Sequence, residues 1–151
     1  MTVPSQAPRF SLVIPAYNEA AWLPRLLDSV DAARACYRGG AAAIEVIVAD
    51  NISTDDTAAI AAARGCRVAC VEKRMIAAAR NGGAAIAGGE IVCFIDADSR
   101  IHANTFNAID DTLASSRVIV GATRIWPERW SFGIFMTWLL ALPVVYLTNV
   151  D

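Results

Sequence analysis

Clustered histidine and cysteine ligands are missing from this sequence, which holds one histidine and four cysteines in 151 residues. Cys36, Cys66, Cys70 and Cys93 form no Cys-x-x-Cys pair, and His102 stands apart from such a motif, so no zinc site is expected. Buried free thiols in a reducing compartment are the expectation. An excess of basic charge is also lacking. Thirteen Lys and Arg against fifteen Asp and Glu leave a net charge of −2, no electrostatic footprint for nucleic acid. The glycine-rich phosphate cradles are absent too: no Gly-x-Gly-x-x-Gly follows the first strand, and no Gly-x-x-x-x-Gly-Lys-Ser/Thr occurs. The first ten residues lack the apolar segment of a secretory signal, which points to a cytoplasmic location. With 56% hydrophobic and 19% charged residues, a disordered chain is excluded. The length suits about one domain, able to bury roughly two-thirds of its unfolded surface.

What is present is a strand–helix rhythm. Phe10–Ile14 is a short apolar strand stopped by Pro15, and Glu19 to Tyr37 carries apolar residues at helical spacing until Gly39-Gly40 ends it. Ile44–Ala49 is a second strand ending at Asp50-Asn51. Ser53 or Thr54 can cap the alanine-rich helix that runs to Gly65, with Asp55 and Asp56 in its first turn. Arg67–Val71, the run from Ile91 and Arg117–Ala122 supply three more strands. Helices are expected at Lys73–Ile86 and from about Asn104 to Leu113. This alternation predicts βαβ units and an α/β fold, with a mostly parallel central sheet flanked by helices.

The richest segment is Ile91-Val92-Cys93-Phe94-Ile95-Asp96-Ala97-Asp98-Ser99. An apolar run reads as a buried parallel strand, and ligands of open α/β sheets sit beyond the carboxyl ends of the strands. Asp96 and Asp98 stand there as close carboxylates, which repel unless a cation or water separates them. Mg²⁺ or a similar hard cation uses few carboxylates and completes its shell with water and substrate phosphate. The same stretch also fits an acidic turn capping the next helix. Pro15-Ala16-Tyr17-Asn18-Glu19, Asp50-Asn51 and Asp96-Ala97-Asp98 all close strands, so a parallel sheet would bring them to one edge.

These segments, in this order, resemble the GT-A glycosyltransferases of family 2. Ser11–Glu19 resembles the family's opening strand and turn, and Ala49–Asp55 its Asp-Asp-Gly-Ser-Thr-Asp segment. Ala78-Ala79-Arg80-Asn81-Gly82-Gly83 is similar to its Ala-Ala-Arg-Asn-x-Gly helix start, and Phe94–Ser99 to its Asp-x-Asp motif. The resemblance implies a nucleotide-diphosphate sugar, UDP-linked above all, with Mg²⁺ or Mn²⁺. It implies that Pro15, Ala16 and Tyr17 line the nucleobase pocket, where Tyr17 offers a ring to the base. Glu19 and Asp50 would then serve the base or ribose, Arg80 the diphosphate, Asp96 the ribose or metal, and Asp98 the metal directly. His102 either approaches the metal or starts a helix. Sugar transfer with inversion at the anomeric carbon is the implied reaction.

The resemblance covers residues 10 to 99, and the family's acceptor half and catalytic base have no match. Glu128 lies in Trp126-Pro127-Glu128-Arg129-Trp130, and Asp110 and Asp111 lie on a helix, so the base is assigned to none of them. The expected organisation is a nucleotide-sugar-binding α/β domain over 1–125 and an apolar helical tail over 126–151, leading to an absent acceptor half. Trp130–Val150 has no charged residue and is long enough to meet a bilayer. By resemblance it is a packed helix beside the acceptor site. Contact with the inner face of the membrane, or with a second chain, is the other reading. A non-catalytic nucleotide-sugar-binding or split subunit and a nucleotidyltransferase are the alternatives to a glycosyltransferase; the acceptor, a sugar or a lipid-linked sugar, is not specified.

Overall fold

The computed structural model describes residues 7–115 and Gly121. The expected strand at 117–122 apart from Gly121, Glu128, the tail 126–151 and its apolar stretch 130–150 lie outside the described residues. Strands β1 (Phe10–Ala16), β2 (Ile44–Asp50), β3 (Arg67–Cys70) and β4 (Ile91–Phe94) alternate with helices α1 (Leu23–Cys36), α2 (Thr57–Ala63), α3 (Ile76–Ala85) and α4 (Thr105–Ser115). The strands form one sheet in the order β3-β2-β1-β4, and every pairing is parallel. The expected α/β architecture is therefore what the chain forms.

Alternation along the two central strands divides the core. Phe10, Leu12, Ile14 and Ala16 of β1, with Ile44, Val46 and Val48 of β2, face a layer containing Leu23, Leu26, Leu27 and Val30 of α1, Ala61 of α2 and Phe106 of α4. Val13, Ile47 and Ala49 point the other way and pack with Ala69 and with Ala79 of α3. Both faces are covered, which explains why β1 and β2 read as continuous apolar runs. Phe10 anchors the first layer, its ring 5.4 Å from that of Tyr37 and 5.2 Å from that of Phe106, centroid to centroid.

The structure corrects several expected boundaries. Pro15 does not stop β1, which continues to Ala16 with Pro15 in register with Ala49. The Val13 carbonyl faces β4, accepting from the Ile95 N–H, whereas the Ala16 carbonyl accepts from the Asn51 N–H. Pro15 shares the side of Val13, where β4 has already ended, so its missing N–H breaks no ladder bond. Helix α1 starts at Leu23, with Pro24 in its first turn, and not at Glu19. Neither Ser53 nor Thr54 caps α2. Asp56 holds the cap position without a side-chain bond, and Asp55 Oδ1 accepts from the Thr57 N–H at 3.0 Å.

Strand β4 is half-covered, in contrast to the buried strand expected. Val92 and Phe94 are exposed, because β4 is the edge of the described sheet and α3 packs over β1, β2 and β3. The thiols depart from expectation as well: all four are free, but Cys36 and Cys70 are exposed and Cys66 and Cys93 only partly covered. Burial pushes the Cys93 thiol up to about 11, which keeps it protonated and inert.

Candidate functional site

The order of the strands sets the location of the site. From β1 the chain moves to β2 and β3 on one side and later returns to β4 on the other. At such a reversal the loops leave in opposite directions and open a crevice beyond the carboxyl ends of the strands. A cavity of about 410 Å³ lies there, lined by Pro15, Ala16, Tyr17 and Glu19 after β1, Asn51 after β2, Arg74, Met75, Ile76 and Ala79 at the start of α3, and Asp96, Ala97 and Asp98 after β4. Groups spread over some eighty residues of sequence thus meet in one crevice.

The loops after β1 and β2 are laced together. The Asn18 N–H donates to Ser53 Oγ at 3.0 Å, and the Thr54 N–H donates to Asn18 Oδ1 at 2.8 Å. The Glu19 N–H donates to Thr57 Oγ1 at 2.8 Å, and the Ala20 N–H to Asp55 Oδ2 at 3.1 Å. Ser53, Thr54, Asp55 and Thr57 therefore fix the segment that carries Tyr17 and Glu19. Asn51 holds the third wall: its Nδ2 donates to the carbonyls of Val71 and Lys73, at 2.8 and 2.7 Å. Sequence reading had no role for this set beyond turns and caps. The residue types that hydrogen-bond to backbone are the available signal, but their partners lie twenty or more residues away.

Acidic groups concentrate at the mouth. The Glu19 carboxyl is pushed above its ordinary value by burial first, then by the charges of Asp98, Asp55 and Asp96. Asp96 and Asp98 are exposed on the cavity wall. Asp96 Oδ1 accepts from Arg80 Nη2 at 2.8 Å, an ion pair that places a guanidinium beside the carboxylates. No three ligating side chains among the described residues are grouped to hold an ion alone. A hard divalent cation is nevertheless compatible with this donor set. It takes one or two carboxylates and completes its shell from phosphate and water.

Asp50 and Arg80 do not line the cavity wall. Asp50 ends β2 beside Ala16, 8% exposed, with Oδ2 accepting a long bond of 3.4 Å from the Ser53 N–H. Its Oδ1 is buried and has no partner among the described residues, an acceptor without a donor. Arg80 Nε is likewise buried, a donor without an acceptor among the described residues. His102 starts the α4 segment, its Nδ1 accepting from the Asn104 N–H at 3.1 Å, which matches the helix-start reading. Asp110 is taken by Arg9 and by the Tyr37 hydroxyl, and Asp111 by Arg38. Both belong to the scaffold.

Comparison with known proteins accords with this geometry. The sequence model described as "Glycosyl transferase family 2" matches residues 11–134. Uncharacterized glycosyltransferases of Mycobacterium tuberculosis and Mycobacterium bovis are 36% identical over 138 residues, 91% of this chain and 57% of theirs. The chain thus spans little more than half the length of the curated relatives it matches. Among solved structures, S. aureus TarS 1-349 in complex with UDP is similar with a TM-score of 0.62 and 26% identity, covering 80% of this chain and 38% of that one. Glucosyl-3-phosphoglycerate synthase from Mycobacterium tuberculosis, in complex with Mn²⁺, UDP and glucosyl-3-phosphoglycerate, is similar with a TM-score of 0.55 and 30% identity, covering 72% of this chain and 40% of that one.

Proposed function

From a chain that belongs to glycosyl transferase family 2 and has a GT-A type fold, we propose that the crevice binds a nucleotide-diphosphate sugar and serves sugar transfer. The carrying observation is the meeting of Tyr17, Glu19, Asp96 and Asp98 on one cavity at the β1/β4 reversal. UDP bound to two structural neighbours supports uracil as the base. Nucleotide-sugar binding is assigned to residues 1–125, and 126–151 are read as the apolar approach to an acceptor half.

Each residue has a physical task in this reading. Pro15, Ala16 and Tyr17 form the apolar wall against which the base packs. The unpartnered Asp50 Oδ1 accepts a hydrogen bond from base or ribose, and Glu19 borders the same side. Asp98, with Asp96, would hold Mg²⁺ or Mn²⁺. Arg80, already beside Asp96, gives the diphosphate a cationic donor. A bound divalent ion supplies Lewis-acid stabilisation of the leaving diphosphate. Inversion at the anomeric carbon is part of the same reading, and resemblance to the family supports it. The base that deprotonates the acceptor is assigned to neither Asp110 nor Asp111, which are engaged in scaffold bonds. In the described residues no helix is long and apolar enough to cross a membrane; lipid or second-chain contact is reserved for 130–150.

Calorimetric titration of UDP in Mn²⁺, repeated with excess chelator and with Asp98→Ala, tests the reading. Wild-type binding should weaken about tenfold or more with chelator, about 1.4 kcal/mol. Asp98→Ala should bind as weakly with metal as without it. A folded wild-type chain that binds no UDP in any condition would sink the assignment.

A further inference from the structure

An asparagine amide carries two N–H donors on one nitrogen, and Asn51 directs both at a single short segment. Its Nδ2 donates to the Val71 carbonyl at 2.8 Å and to the Lys73 carbonyl at 2.7 Å. Both partners are acceptors, so only the amide nitrogen can face them. The Asn51 backbone N–H meanwhile donates to the Ala16 carbonyl at 2.8 Å. One residue, 5% exposed, thus ties the end of β1 to residues 71–75, which join β3 to α3 without helix or strand. That segment leads into Arg74, Met75 and Ile76 on the cavity wall. Helix α3 grips it from the other side. A Cβ on Gly82 would lie 2.5 Å from Val71 Cγ2, so the helix meets Val71 where there is no room for a side chain.

We infer that Asn51 is a positioning residue for donor binding: its amide holds residues 71–75 where they wall the crevice. The inference rests on the nucleotide-site reading above and adds what keeps that wall in place. Asn51 stands where the pattern that Ala49–Asp55 resembles has a second aspartate. A carboxylate there is an acceptor only; it would lose both bonds and face two carbonyl oxygens. Without the amide the segment spends part of its time away from the crevice, and affinity falls with the fraction of chains in which the wall is formed. Gly82 lies off the cavity wall and bears on the same segment through Val71, which makes it an independent handle.

Calorimetric titration of UDP with Mn²⁺ into the full chain and its variants tests this role. Asn51→Asp and Asn51→Ala should each bind about tenfold more weakly than wild type, because both lack the N–H groups. Gly82→Ala, which carries the test if the Asn51 variants do not fold, should weaken binding about threefold. Asn51→Ala with Gly82→Ala should lose less than the product of the single losses, since both act through one segment. Hydrogen exchange reads the segment without ligand. In Asn51→Ala the Met75 amide should lose about tenfold protection while the amides of the β1 ladder keep theirs. Asn51→Ala or Gly82→Ala binding as wild type does would overturn the role. So would losses that multiply in the double variant, which mean direct contact of Asn51 with the nucleotide, or protection lost equally from Met75 and β1, which means general stability. These results leave the nucleotide site standing. A folded wild-type chain that binds no UDP would overturn the site reading and this role together.

Discussion

Ile52 sits in the site loop with φ of 61°, a left-handed conformation that β-branched side chains rarely adopt. It occupies the third place of the segment resembling Asp-Asp-Gly-Ser-Thr-Asp, where the family pattern has glycine. The left-handed region disfavours an L side chain by about 1–2 kcal/mol, while glycine's greater freedom in the unfolded chain takes back about 0.5–1 kcal/mol. Half-exposed, Ile52 gains little burial to offset the strain. Ile52→Gly should therefore stabilise the protein by about 0.5–1 kcal/mol, read as a rise in the urea midpoint. A lowered midpoint would mean that the side chain contributes packing which outweighs the backbone term. Asn18, at φ 55°, is the other non-glycine residue of this kind among the described ones. Its side chain is used in the loop lattice, so the same exchange there would remove a hydrogen bond.

Helix α3 packs closely where Gly83 has no side chain. A Cβ built on Gly83 would lie 2.4 Å from Val13 Cγ1 and 3.2 Å from Ala49 Cβ, both in the buried layer beneath the helix. Gly83→Ala should force α3 off β1 and lower stability by about 1–3 kcal/mol. Adding Val13→Ala should recover part of that loss if the clash is local, and thermal denaturation of the single and double variants measures it. At this scale much was legible in the sequence. The four strands and four helices were read from apolar periodicity and turn residues, because β1 and β2 are covered on both faces and α1 carries a clean apolar stripe. What escaped was set by tertiary neighbours. Passage of β1 through Pro15 depends on where β4 stops, and the half-exposed β4 depends on which strands α3 covers. The site was legible as a list of acids and an aromatic at strand ends. Its supports, Asn51 and the Asn18–Thr54 pairs, were not, since a single sequence does not say which backbone group a distant polar side chain meets.

Across the whole molecule, Glu45 joins parts that are far apart in sequence. It accepts from Ser11 Oγ of β1 at 2.5 Å, from the Gly88 N–H before β4 at 2.6 Å and from Arg67 of β3 at 2.7 Å. Burial alone would raise its carboxyl, but these hydrogen bonds and the Arg67 charge overcome that and hold it below its ordinary value of 4.5. The unfolded chain then binds the proton more strongly. The stabilisation is complete above the ordinary value and is lost as pH falls through the lowered one. Glu45→Gln should reduce stability at neutral pH and flatten its acid dependence below about 4.5, followed by chemical denaturation across an acid pH series. An unaltered acid slope would place the dependence on other carboxylates. At the opposite end of the sheet, the Asn18–Ser53–Thr54 lacing and the bonds from Glu19 and Ala20 to Thr57 and Asp55 join two loops separated by the whole of α1. A recombinant exchanged between relatives at any point within α1 would inherit the two halves of this lattice from different parents, whereas a crossover beyond Thr57 would pass it on intact. The stretch from β1 to the first turn of α2 is in that sense a single heritable cassette.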